Sequence, residues 1–264
     1  MFAARNMMFA GIDADMAAFI AASGATDTAG IAALVAYLKA ENLWTSTRFF
    51  PFKSAQNAGS GSTVYGLGGL TANNYSLVAS PTWGAGGVAF NGSTQFARLA
   101  DCTSAATISV FCRANVVSNT TGISAMFGQY DSGANKRSVT LLQNGTIAGD
   151  PLVLQRSTDG GATNTELQYT TTLTGLGADT CWVAQWIAGG SRSLWQNKTN
   201  RTLTLLGTER TTRFDTDVDW TIASILTSNA ISLPSQMTAT AFAIVQAPLT
   251  TLQRETITDL LNAL

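Results

Sequence analysis

Gly87-Val88-Ala89-Phe90-Asn91-Gly92-Ser93-Thr94-Gln95-Phe96, followed by Ala106-Thr107-Ile108-Ser109-Val110-Phe111, is the stretch whose reading decides the fold. Its first block reads as a strand, breaks at Asn-Gly and resumes, which predicts two strands around a tight turn. The second block alternates and predicts a third strand. Working outward, the same period of two runs from Phe49 to about Pro248, broken by clusters of Gly, Asn, Pro and Ser. Segments Thr107–Ala114, Ile123–Tyr130, Arg137–Gln143, Leu152–Ser157, Cys181–Ile187, Ser191–Asn197, Asp219–Leu226 and Met237–Gln246 read as strands. Many strands at roughly ten-residue spacing, with no helices between them, indicate an all-β sandwich or barrel. One face of each strand must be buried, which places Ile108, Val110, Trp182, Trp186 and Phe242 in the core of two antiparallel sheets.

The ends of the chain carry a different period. Met16, Phe19 and Ile20 form a short apolar stripe that Gly24 ends, and Asp27 stands where a helix N-cap belongs. Ile31, Leu34, Val35 and Leu38 then repeat at i, i+3, i+4 and i+7. Residues 1–45 therefore read as a helical hairpin, ahead of a sandwich spanning 46–264. Ala32, Ala33 and Ala36 leave little polar surface opposite the stripe, so Ile31, Leu34, Val35 and Leu38 are candidates for docking to a partner as well as for packing on the sandwich. At the other end, Thr250 with Gln253 forms a capping-box signature, and Ile257, Leu260, Leu261 and Leu264 form one apolar face of a short C-terminal helix.

Composition narrows the partners. The chain has 264 residues, 12% charged, with a formal net charge of −1. No clustered Lys and Arg mark a nucleic-acid footprint, and no apolar run approaches the roughly 20 residues that cross a bilayer. Met1 to Ile12 contains one Arg and a short apolar run cut off by Asp13, which argues against a cleavable leader. Few charges among many Thr, Ser, Asn, Gly and Ala suggest a surface packed against other proteins. Cys102, Cys112 and Cys181 are odd in number and lack ligand spacing. Cys112 and Cys181 read as small buried hydrophobes, with a Cys102–Cys112 disulfide as the minor alternative. The Asn-x-Ser/Thr triplets at Asn74, Asn91, Asn119, Asn144, Asn197 and Asn200 read as turns.

The opening block, with Thr107-Ile108-Ser109-Val110 after it, resembles the first strands of laminin-G-like, concanavalin-A-like jelly rolls. Trp182-Val183-Ala184-Gln185-Trp186-Ile187 and Ser193-Leu194-Trp195-Gln196-Asn197 resemble that family's paired strands, with Trp195 and Lys198 replacing the usual Tyr and Gly. Ile225–Ser228 and Ala243–Thr250 extend the likeness to the C-terminal helix. Upstream, the helical hairpin ends in Leu43-Trp44, then come Phe49-Phe50-Pro51-Phe52 and Ala72-Asn73-Asn74-Tyr75. That order resembles laminin-G-like structural proteins of tailed bacteriophages. The resemblance implies a non-enzymatic virion protein (a tail, fibre or capsid-surface component) packed against other virion proteins and its own copies. The alternative it leaves open is a carbohydrate-binding adhesion module for a host surface glycan.

Chemistry is constrained most by what is missing. The chain has no histidine, which excludes a Ser-His-Asp triad, a Cys-His pair and His-containing zinc sites. Glucanases of this fold use a Glu-x-Asp-x-x-Glu strand, but Glu41, Glu166, Glu209 and Glu255 all lack an Asp two residues on. Catalytic residues are therefore not expected. Asp215, Asp217 and Asp219 alternate in an extended segment and could bind Ca²⁺, unless Arg210 and Arg213 neutralise them. For stacking on a sugar ring, Trp83 in Ser80-Pro81-Thr82-Trp83-Gly84 and Tyr130 before Asp131-Ser132-Gly133 are the candidates, against a structural reading of Trp83 as a plug over the core.

Overall fold

The computed structural model describes residues 12–70, 74–103, 106–117, 122–147, 152–159, 161, 165–170, 176–190, 192–206, 208–211 and 213–264. The leader reading of Met1 to Ile12 falls almost wholly outside them, as do Ala72, Asn73, Asn119 and Ser191. Three helices are described: α1 (Ala14–Ser23), α2 (Ala29–Ala40) and α3 (Thr251–Asn262). The strands begin with β1 (Thr47–Pro51), β2 (Thr63–Val64), β3 (Tyr75–Val78), β4 (Thr82–Gly84), β5 (Gly87–Asn91) and β6 (Phe96–Leu99). Next come β7 (Ile108–Val116), β8 (Ile123–Asp131), β9 (Lys136–Asn144), β10 (Leu152–Ser157), β11 (Thr165–Thr170) and β12 (Asp179–Trp186). Last are β13 (Arg192–Gln196), β14 (Thr199–Arg201), β15 (Leu203–Leu206), β16 (Trp220–Ile222), β17 (Ile225–Thr227), β18 (Ala230–Ser232) and β19 (Gln236–Val245).

These strands make two sheets packed face to face. The first runs β14-β13-β12-β7-β19-β5-β4, with β1 also paired to β19. Because β7 occupies one side of β19, β5 and β1 share the other, end to end: Met237 faces Phe90 and Phe242 faces Phe50. The second sheet runs β15-β11-β10-β9-β8-β16-β6-β3-β2, with β17 and β18 alongside. Among the described residues, pairing is antiparallel except where Leu226 of β17 meets Asp131 of β8 in parallel.

Alternation explains the layers. On β7, Ile108, Val110, Cys112, Ala114 and Val116 enter the core between the sheets, together with Trp182, Ala184 and Trp186 of β12 and Phe242 of β19. The intervening Phe111, Cys181 and Val183 face the other way, into a second core beneath the helices. The molecule is thus a three-layered structure, with helices over one face of a β-sandwich. Ile31, Leu34, Val35 and Leu38 are each at most 1% exposed, because α2 lays its stripe on that sheet beside Ile257 and Leu261 of α3. The stripe is covered within the chain, so its side chains do not form a free docking surface, while Ala32, Ala33 and Ala36 face solvent.

Three local details differ from the sequence reading. Asn91-Gly92 does turn the chain: the Asn91 side-chain oxygen accepts from the backbone N–H groups of Ser93, Thr94 and Gln95. The turn, however, carries the chain from β5 in the first sheet to β6 in the second, so the two strands do not pair. Helix α2 begins after Thr28, one residue later than read, and the Asp27 carboxylate accepts instead from the Gln56 amide at 3.1 Å. The segment read as one strand over Asp219–Leu226 is two, β16 and β17, split where Ala223 takes a φ of 65°. The capping box of α3 forms as its sequence indicates.

Candidate functional site

A cleft of about 420 Å³ opens between α1 and the loop that follows β2. This volume falls within the roughly 300–1,000 Å³ typical of small-molecule sites. Its walls come from four separate places in the chain: Asp15 and Phe19 on α1, Trp44 after α2, Arg48 on β1, and Tyr65 and Asn74 around the loop.

The loop is held down by its backbone. Phe49 and Leu67 exchange N–H···O bonds at 2.7 and 2.8 Å, Gly69 donates to the Trp44 carbonyl at 2.9 Å, and Leu70 donates to Thr47. Two side-chain amides fix its ends. Buried Asn57 brackets Tyr65, accepting from its N–H at 3.0 Å and donating to its carbonyl at 2.9 Å. Asn74 accepts from the Gly66 N–H at 3.0 Å. Such close backbone contact requires glycine. Gly68 sits at a φ of +119°, and a Cβ there would lie 2.0 Å from the Thr47 carbonyl oxygen. A Cβ on Gly66 would lie 2.3 Å from the Phe50 ring.

Arg48 is only 4% exposed, with its guanidinium 5.3 Å from the Phe50 ring centre. It donates to the Gly68 carbonyl at 3.4 Å and to the Asn74 side-chain oxygen at 3.5 Å. Burial lowers its pKa to about 10, still a cation at neutral pH. At the rim, the Lys39 ammonium meets Asp13 at 2.7 Å and Asp15 at 2.5 Å and lies 4.8 Å over the Trp44 ring. The cleft therefore combines half-buried aromatic walls with amide, carboxylate and guanidinium groups, a chemistry suited to a polyhydroxylated ligand with apolar ring faces.

The residues singled out from the sequence lie elsewhere. Trp83 sits on β4 with its indole N–H donating to the Gly61 carbonyl at 3.0 Å, and its ring packs on the core between the sheets. Tyr130 is on β8 of the other sheet; its hydroxyl accepts from Arg137 at 3.1 Å, and its ring packs beside Ala125, Leu142, Val153 and Ile225. The two do not share a site. Each of the three aspartates meets its own basic side chain: Asp215 with Arg213 at 3.5 Å, Asp217 with Lys136 at 2.6 Å, and Asp219 with Arg98. The Lys136 hydrogen bond holds the Asp217 carboxyl below its ordinary range. Among the described residues, no group of three Asp, Glu or Cys side chains is arranged to hold a metal ion.

Arg48, Trp44, Tyr65, Asn74 and Asp15 were not read from the sequence as a site. The available signal was Tyr65-Gly66-Leu67-Gly68-Gly69, whose glycines mark a close backbone approach beside an aromatic.

No protein-family model and no curated protein sequence matches this chain. Similarity appears at the level of fold. The binding domain of botulinum neurotoxin serotype D superposes with a TM-score of 0.59 at 8% identity, covering 83% of this chain and 52% of that one. A mutant Trypanosoma rangeli sialidase displaying trans-sialidase activity superposes with a TM-score of 0.56 at 14% identity, covering 88% of this chain and 39% of that one. This chain thus spans well under two thirds of either protein. These neighbours are a toxin binding domain and a sialidase rather than virion components, which corrects the reading as a tailed-phage virion protein packed against virion partners. The reason is physical: strand alternation and turn residues encode a sandwich, and a sandwich does not encode its setting.

Proposed function

We propose that this chain is a non-enzymatic glycan-binding module, built on a concanavalin-A-like, laminin-G-like sandwich, that takes sugar in the cleft between α1 and the Tyr65–Leu70 loop. The observation that carries this reading is the convergence of Trp44, Tyr65, Arg48 and Asn74 on one concave site whose loop is fixed by glycines and buried amides. Aromatic side chains cover the apolar face of a pyranose, and fixed amide and charged groups read its hydroxyls. The sequence supports binding over hydrolysis, since it lacks histidine and the paired carboxylates of the fold's glucanases.

Titration of the purified chain against a panel of immobilised mono- and oligosaccharides tests the reading. At least one sugar should bind, and Trp44→Ala should weaken it by about tenfold while the circular dichroism spectrum stays native. Full affinity in a folded Trp44→Ala variant would place the site elsewhere.

A further inference from the structure

Resting on the glycan reading, we infer that the cleft selects neutral sugars that carry an acetamido group, and that the Asn74 amide reads the acetamido carbonyl. Charge argues against an acidic sugar. At the entrance two carboxylates, Asp13 and Asp15, answer the single Lys39 ammonium at 2.7 and 2.5 Å, so the rim is net negative. The Arg48 guanidinium in the wall is already committed, donating to the Gly68 carbonyl at 3.4 Å and to the Asn74 side-chain oxygen at 3.5 Å. An arriving anion would be repelled at the rim and would have to displace those bonds.

The hydrogen-bonding capacity that remains in the wall is mostly of one kind. Asn74, half-buried there, accepts at its side-chain oxygen from the Gly66 N–H at 3.0 Å as well as from Arg48. Those two donors settle which branch of the carboxamide is oxygen, because an amide NH2 does not accept. The opposite branch is therefore an NH2 of fixed position, and among the described residues no acceptor meets it. The indole N–H of Trp44 and the hydroxyl of Tyr65, both half-buried in the same lining, likewise have no partner among the described residues. Three unanswered donors call for an acceptor. A sugar hydroxyl accepts only while bringing a proton of its own, and a protonated amine brings nothing but protons. An amide carbonyl accepts through two lone pairs and donates nothing. Beside these groups Ala18, Phe19, Ala22 and Leu67 give the lining an apolar stretch for the acetyl methyl to cover.

The test varies the ligand first, so that folding of a variant is not at issue. The unaltered chain is titrated calorimetrically with methyl glycosides of N-acetylglucosamine and N-acetylgalactosamine. The comparison ligands are the glucose and galactose glycosides, with a hydroxyl at the same carbon, and the glucosamine and galactosamine glycosides, with an amine there. At least one acetamido sugar should bind about tenfold more tightly than both of its analogues. Equal affinity for the acetamido and hydroxyl sugars would overturn the inference while leaving the glycan reading intact. Equal or tighter binding of the amine sugar would transfer the selection to the rim carboxylates and overturn it as well. Binding of no sugar on any arm would overturn both. Asn74→Asp keeps an oxygen for Gly66 and Arg48 and removes the NH2. Shown to be folded by circular dichroism, that variant should lose the preference for acetamido over hydroxyl. Survival of the preference in it would overturn the assignment to Asn74.

Discussion

The cleft beside α1 and the cavity beneath the Asp215–Asp219 segment are both hollows on one sandwich, yet their linings differ. The second cavity, about 240 Å³, is lined by Arg98, Asp131, Lys136, Asp217, Asp219 and Asn229. Its charges answer one another: Lys136 pairs with Asp217, Arg98 with Asp219, and buried Asp131 accepts from the backbone N–H groups of Gly133, Ala134, Ser228 and Asn229. That arrangement knits two loops together. In the α1 cleft, by contrast, the ion pairs of Lys39 with Asp13 and Asp15 stay at the rim, and aromatic side chains border the open volume. A dense run of acidic residues therefore marks loop structure here, while the candidate site is assembled from residues scattered over sixty positions of sequence.

The comparison can be broken most forcefully at Gly68. Gly68→Ala must place a Cβ against the Thr47 carbonyl at a φ that favours glycine, so a loss of about 3 kcal/mol or more is expected by urea denaturation, together with sugar binding. A variant with native stability would mean that the loop wall is not fixed as described.

A smaller effect separates buried from exposed charge around the second cavity. The Arg213 side chain is 1% exposed and donates to Gln129 and Ser138, each at 3.0 Å. Arg213→Leu takes a donor away from both of those buried partners and should cost about 2–3 kcal/mol. Asp217→Ala removes a carboxylate that is 79% exposed, and its denaturation midpoint should match that of the unaltered chain. Equal effects of the two substitutions would remove the distinction between network and surface pair.

A small, pH-dependent effect concerns the rim of the cleft. The hydrogen bond from Lys39 holds the Asp13 carboxyl below its ordinary 3.8, so the contribution of this pair is complete above that value and is lost as pH falls through the lowered pKa. The Lys39 pKa is raised above 10.5, so its share persists until strongly alkaline pH. The melting-temperature difference between the unaltered chain and Lys39→Met should therefore shrink below pH 3.8 and stay level through neutrality. A difference that grows in acid would contradict the pairing.

The strands that build the core were legible because burial imposes a period: Ile108, Val110 and Cys112 alternate on β7, as do Trp182, Ala184 and Trp186 on β12. Where burial is weak the pattern fades. Strand β15, at the sheet edge, carries Leu205 at 39% and Leu206 at 57% exposure and was not read as a strand. Turn chemistry is local and pairing is not, which is why Asn91-Gly92 revealed a turn without revealing that β5 and β6 enter different sheets. The cleft was least legible. Trp44, Arg48, Tyr65 and Asn74 acquire their relation only through the pairing of β1 with β19 and the loop's bonds to β1, and Asp15 joins them through the packing of α1 on that sheet. Trp83 and Tyr130 stood out in sequence as aromatics beside loop residues, a criterion that also selects rings anchored to the core.

The central claim is tested most directly by mapping amide and indole chemical-shift changes in the isotopically labelled chain during titration with the tightest-binding sugar. The account predicts changes concentrated at Asp15, Trp44, Arg48, Tyr65–Gly69 and Asn74, with Asp215–Asp219, Trp83 and Tyr130 unmoved. Changes centred on the Asp215–Asp219 cavity, or on Trp83 or Tyr130, would contradict it.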